Sequence, residues 1–302
     1  MVGDGVSPWR TLAGARGDNP AEGSQTADGM ALLTVDRTAG LTAGRTEVPL
    51  ALRGVRERWV TLAEGLAGAG WRGPSRCELW TAHDVLRHVR DACRLHVAGL
   101  RREPSSPFDE PFDARATPPR WLERSAGEAP EATLDELRLL GAEEASALRD
   151  RLDTPGQEAV PGPYGPVPWT VLTAHVVWDA WLHERDVAHL TGGGLPSMPV
   201  EDAVVAGYGL FIASMVAVQR SHHFELTVAL SGTDRDYLAA VAPGHVELRV
   251  VPSPAPADLR GSLGAVVDSL AGRGSALADV LEGDPGQARP LTWLGAMLAP
   301  PT

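Results

Sequence analysis

Residues 170–189 read TVLTAHVVWDAWLHERDVAH, and this stretch decides the architecture. Its length and composition predict a helix, and at 100° per residue the apolar side chains of Val171, Trp178 and Leu182 fall within about 60° of His175. That stripe must face a core. On its other side Asp186, Asp179 and His183 fall at about 20°, 40° and 80° from His175, so ionisable groups share the inward face. Burying charge costs several kcal/mol unless something pairs with it, which marks this helix as the carrier of a site.

A second helix repeats the anomaly. Thr81, with Asp84 three residues on, forms a capping-box-like start for a helix running to about Leu100. With Val85 as origin, Val89 and Ala92 lie within about 40°, and His88 and His96 lie within about 60°. Inward imidazoles on one helix can meet the His/Asp/His run of the other in a bundle core. Two groups four residues apart stack one turn apart on a helix and can serve one cation. His175 and His183 are ~12 Å apart along the axis, too far to share an ion. Spacing therefore leaves two pairs open, His175 with Asp179 or Asp179 with His183.

Working outward, the apolar residues Leu50, Leu52, Val55, Trp59, Leu62 and Leu66 recur at helical spacing over about Glu47 to Leu66. A further helix spans about Leu134 to Leu152. Arg102 to Pro119, with Pro104, Pro107, Pro111, Pro118 and Pro119, reads as a loop, as does Pro155 to Pro168. Four helices with two long connections make a helix bundle. The fourth stops at Thr191-Gly192-Gly193-Gly194. Beyond it, a helix over Val200 to Gln219 precedes strand-like Phe224 to Leu230 and Val246 to Val251, then a helix over Ser262 to Leu270. The expected organisation is mainly α: a poorly ordered segment over residues 1–40, a four-helix bundle over 41–195 and a smaller α+β domain over 196–302.

Composition narrows the function. The 302 residues carry a net charge of −12, and no basic stripe with interleaved aromatics appears, which argues against nucleic-acid binding. Apolar runs fall short of the ~20 residues a membrane span needs. All 27 basic residues are arginine, so no lysine can form a Schiff base, anchor pyridoxal phosphate or complete a P-loop. Cys77 and Cys93 lack Cys-x-x-Cys spacing and read as structural thiols in a reduced, cytoplasmic protein with no signal-peptide pattern. The tryptophans Trp59, Trp71 and Trp80 read as packing. Arg94, Arg101 and Arg102 form a solvated face, and Arg220, Arg249 and Arg273 are equal candidates for clamping a carboxylate.

Residues 77–88, CELWTAHDVLRH, resemble the C-P-G-W-T-x-x-D-V-x-x-H signature of the mycothiol-dependent maleylpyruvate isomerase family in the DinB-like superfamily. Residues 178–187, WDAWLHERDV, are similar to its second signature, an acid, three residues, His, and Asp three further on. Arg260 to Ser262, Gly272-Arg273 and Leu281 to Asp284 are similar to its C-terminal domain. The resemblance covers roughly Leu41 to Leu298. It implies a DinB-like four-helix bundle that holds zinc or another divalent metal through His88, Asp179 and His183. Asp186 and His175 would then stand behind the ligands, Asp186 orienting an imidazole or an arginine. This sequence departs from the pattern in having Asp179 where the isomerase has Glu, and Glu78-Leu79 in place of Pro-Gly.

The same resemblance implies mycothiol, a low-molecular-weight thiol, as cosubstrate and a small electrophilic molecule as substrate, in a monomer or homodimer. A thiolate at the open metal position would add to the substrate, giving isomerisation if it is expelled and S-transfer if it stays. Two alternatives are a thiol-independent metal enzyme of specialised metabolism using Lewis-acid or activated-water chemistry, and a non-catalytic binding protein on the same fold.

Overall fold

The computed structural model describes residues 40–299 apart from 67, 104–111, 114–115, 155–158, 163–165, 193–194, 244 and 253–255. Residues 1–39 of the segment expected to be poorly ordered over 1–40, the prolines Pro104, Pro107 and Pro111, and Gly193-Gly194 lie outside the described residues, while Gly40 begins the first helix.

Four long helices form the bundle: α1 (Gly40–Gly65), α2 (Ala82–Arg101), α4 (Pro130–Asp153) and α5 (Trp169–Ala188). In α1 the buried positions Val48, Leu52, Val55, Trp59 and Ala63 follow the helical period and face inward. In α2 the Thr81 hydroxyl accepts from the Asp84 amide at 3.2 Å while the Asp84 carboxylate accepts from the Thr81 amide at 2.8 Å. This reciprocal cap satisfies two amides that the helix start leaves free. α5 is buried along nearly its whole length, because it packs against α1 and α2 on one side and α6 (Pro199–Gln219) on the other. A two-residue antiparallel pair, β1 (Ala159–Val160) with β2 (Val167–Pro168), leads into it.

One short helix, α3 (Thr117–Arg124), corrects the loop expected up to Pro119. Pro118 and Pro119 sit in its first turn, where the missing amide would have no intrahelical partner and a φ near −65° already suits a helix.

After α6 come β3 (Phe224–Ser231), β4 (Arg235–Ala242), β5 (His245–Pro252), β6 (Leu259–Ser262), α7 (Leu263–Leu270), α8 (Leu277–Val280), β7 (Leu281–Gly283), α9 (Pro285–Ala288) and α10 (Thr292–Leu298). The sheet runs β5-β4-β3-β6-β7, with β3 and β6 parallel and the other neighbours antiparallel. β4 is an addition to the two strands read from the sequence. Its buried side chains, Tyr237, Ala239 and Val241, alternate as a strand requires, but its alanines give little β signal. α6 is shared, since it packs on α1 and α5 as well as on β4 and β5, and the Tyr237 hydroxyl donates to the Ala203 carbonyl at 3.1 Å.

Charge also ties α6 to the bundle. Arg58 of α1 donates to both oxygens of Glu184 in α5, at 2.7 and 2.8 Å, and lies 2.5 Å from Glu201 of α6. Both carboxylates are buried, so this one guanidinium offsets the cost of desolvating two anions. Removing it in Arg58→Met strands them. The expected result is a loss of about 3 kcal/mol in urea unfolding; a midpoint equal to that of the parent protein would contradict this role.

Candidate metal centre

α2 and α5 run antiparallel, which sets residue 88 opposite the turn containing Asp179 and His183. The His88 Nε2 lies 3.4 Å from Asp179 Oδ1, and His183 Nε2 lies 3.6 Å from the same oxygen. The two imidazoles meet edge to face with centroids 4.7 Å apart. One donor atom from each of His88, Asp179 and His183 falls within 4.8 Å of the others. Tetrahedral zinc with bonds of about 2.0–2.1 Å imposes edges of about 3.4 Å between its ligands. The second oxygen of Asp179 is buried without a hydrogen-bond partner, an acceptor that burial would penalise unless a cation or water met it. The donor set and its spacing therefore fit a divalent metal.

Electrostatics supports the same reading. Burial works against ionisation of Asp179, but the neighbouring imidazoles of His88 and His183 hold its carboxyl well below the usual range. Burial also opposes charge on His88; the Asp179 carboxylate outweighs it and raises this imidazole above its ordinary value. His183 is pushed down, chiefly by burial. A carboxylate that stabilises positive charge on one imidazole can do the same for a metal ion.

Behind His183 stands a second set of side chains. The His183 Nδ1 donates to Asp186 Oδ2 at 3.0 Å, which fixes the tautomer and leaves Nε2 as the lone pair facing Asp179. Arg273 donates to Asp186 through Nε at 3.0 and 3.1 Å and through Nη2 at 2.8 Å. It follows Gly272, whose φ of 72° closes α7 in the left-handed conformation. A Cβ at Gly272 would meet the Gly295 carbonyl at 2.7 Å, so the turn that delivers Arg273 requires glycine. Arg273 is thus distinguished from the other two candidates, since Arg220 lies over Trp293 and Arg249 pairs with Glu247.

Cys77, read from the sequence as structural, belongs to this surround. Its thiol donates to Asp186 at 3.1 Å and lies 3.8 Å from His183 Nδ1. Burial, then the Asp186 charge, push the thiol up to about 12 against the pull of Arg273. Cys77, His183 and Asp186 also converge closely enough to hold an ion. The Arg273 guanidinium already meets all three, so a cation there would face a fixed positive charge. In the His88 set Arg273 contacts only His183, and although its charge also opposes that of His88, the Asp179 carboxylate outweighs it there.

Trp80 covers the imidazoles, 5.2 Å from His88 and 5.9 Å from His183 between ring centroids. His175, expected behind the ligands, bonds the Tyr208 hydroxyl of α6 at 2.9 Å and stacks on Trp178, close enough to Asp179 for the two charges to interact. His96 lies deeper, where Glu144 and Thr173 take its two nitrogens at 2.7 and 2.9 Å. Arg56 also donates to Glu144, at 2.9 Å, and holds its carboxyl at about 2 despite burial.

Residues 52–188 match the family model described as the mycothiol maleylpyruvate isomerase N-terminal domain. Two crystal structures, of the mycothiol-dependent maleylpyruvate isomerase and of a histidine-to-alanine mutant of it, share this fold. Each superposes with a TM-score of 0.54 at 18% identity, over 78% of this chain and 91% of the other. No curated protein sequence matches the chain.

A proton and a metal ion compete for the same imidazole lone pair. Zinc affinity, measured against a chromophoric chelator, is expected to be highest near about pH 8 and to weaken as pH falls through the raised value of His88, above 6.5. Affinity unchanged between about pH 8 and about pH 6 would show that these imidazoles are not the ligands.

Proposed function

We propose, from the premise that residues 52–188 belong to the mycothiol maleylpyruvate isomerase N-terminal domain family, that this protein is a metal-dependent isomerase or S-transferase. Its cosubstrate is a low-molecular-weight thiol, mycothiol by family, and its substrate a small electrophile. The observation that carries this reading is the convergence of His88 and His183 on one carboxylate oxygen of Asp179, whose other oxygen is buried with no hydrogen-bond partner.

A divalent cation, zinc in this reading, supplies Lewis acidity that lowers the pKa of a thiol brought beside it. The chain's own residues prepare that event. Asp186 keeps His183 in the Nδ1-protonated tautomer; against burial, His183 and then Arg273 keep Asp186 ionised, and Arg273 holds it in place. Asp186 and Arg273 are therefore positioning residues. Trp80 shields the imidazoles from water on one side, which strengthens every charge interaction beneath it.

The bond changes balance without an oxidant. The sulfur forms a C–S bond at an alkene carbon conjugated to a carbonyl, and the alkene pair moves onto the carbonyl oxygen. Rotation about the resulting single bond follows. Return of the pair breaks the C–S bond and releases the other geometric isomer with the thiol. If the neighbouring carbon is protonated first, the C–S bond persists and the outcome is S-transfer.

The direct test supplies maleylpyruvate and mycothiol to the purified protein. Isomerisation is expected, lost on chelation, restored by zinc, and lost in His88→Ala and His183→Ala. Asp186→Asn is expected to weaken zinc binding about 10–100-fold, with activity recovering at high zinc. Turnover of this or another electrophile that persists after chelation would exclude the metal, and turnover in thiol-free buffer would exclude the thiol.

A further inference from the structure

One long edge of the C-terminal sheet is open. β5 pairs with β4 on one side, and among the described residues no strand pairs with it on the other. All eight of its residues, His245 to Pro252, stand in unbroken register with β4, so no bulge turns the edge away. At ~3.4 Å per residue the strand extends about 27 Å. Proteins usually blunt such an edge with a bulge, a proline within the strand or a charge pointing inward. Here Pro252 is terminal, and the inner face carries Val246, Leu248 and Val250. α6 packs on this face and buries the first two, but Val250 is 55% exposed.

The outer face of the strand identifies what completes it. Glu247 and Arg249 stand two residues apart there and bond each other at 2.6 and 2.8 Å. A second copy of β5, antiparallel and related by a two-fold axis perpendicular to the sheet, would keep both inner faces on one side. In such a pair residue i faces j and j faces i. An axis through Glu247 sets glutamate against glutamate, and one through Arg249 sets arginine against arginine; either opposes pairing. An axis through Leu248 sets Glu247 of each copy against Arg249 of the other. With the bond inside each strand, the four charges form a square in which every neighbour has the opposite sign. The same register lays Val250 against Val246 of the second copy and covers the exposed end of the inner face.

We propose that β5 docks on β5 of a second copy about Leu248, joining two five-stranded sheets into one of ten. Backbone bonds between the two edges supply the attraction, and the square of charges fixes the register. The interface includes none of the residues proposed to hold a metal, so it stands or falls apart from the function proposed above.

Sedimentation velocity of the full chain over a concentration series is expected to show a species of twice the chain mass. Arg249→Glu and Glu247→Arg each turn the square into like charges, and each is expected to raise the dissociation constant about tenfold. Both side chains lie on the outer face, and each variant is expected to keep the circular dichroism spectrum of the parent. Mixed in equal amounts, the two variants are expected to recover the doubled mass, because an all-acidic strand then meets an all-basic one. The exchange of both charges in one chain, Glu247→Arg with Arg249→Glu, keeps the bond within the strand and is expected to dimerise like the parent. A parent that stays monomeric throughout the series overturns the proposal. So does a dimer that the single reversals leave equally tight, or one that neither the mixture nor the exchange restores.

Discussion

A single carboxylate oxygen, Oδ1 of Asp179, is shared by imidazoles from two helices. Asp179 and His183 come from successive turns of α5, and His88 reaches them from α2. None of the three could be buried alone without a cost of several kcal/mol. Together they make a cluster in which each group lowers the cost of its neighbours, and the orphaned second oxygen leaves that cluster incomplete without a cation or water. The packing of α5 between α1, α2 and α6 keeps these groups at fixed separation.

The C-terminal half reaches this cluster through one hydrogen-bonded chain. Arg273 bonds Asp186, and Asp186 bonds His183. Nearby, Asp268 of α7 receives Arg76 at 2.9 Å and Arg185 at 3.1 and 3.2 Å, which anchors the same face of the C-terminal half to the bundle. The orientation of one imidazole therefore depends on the sheet and its helices as well as on the bundle. Buried ion pairs such as Arg56 with Glu144 and Arg58 with Glu184 contribute less to net stability than to fixing which helices meet, because desolvation offsets much of their attraction.

Much of this was legible in the sequence. The periodic apolar positions of α1, α2, α4, α5 and α6 gave those helices, and the Thr81/Asp84 pair marked a helix start. Inward charge on α5 pointed to a site, although spacing alone left two ligand pairs open and the choice of Asp179 with His183 came from resemblance. Other features lie beyond a one-dimensional reading. Cys77 opens the first signature but has no Cys-x-x-Cys partner, and only the fold brings it against Asp186. Arg273 was one of three equivalent arginines until Gly272 turned it toward the bundle. His175 shares the stripe of Asp179, yet it points toward Tyr208 because α5 has neighbours on two sides. Pro118 and Pro119 read as loop because prolines break helix interiors, but they begin α3.

X-ray absorption at the zinc edge, on thiol-free protein loaded with one equivalent of zinc, separates the two overlapping donor sets. Binding by His88, Asp179 and His183 predicts a first shell of nitrogen and oxygen alone at about 2.0–2.2 Å. A sulfur scatterer at about 2.3 Å would place the metal on Cys77 and contradict the account.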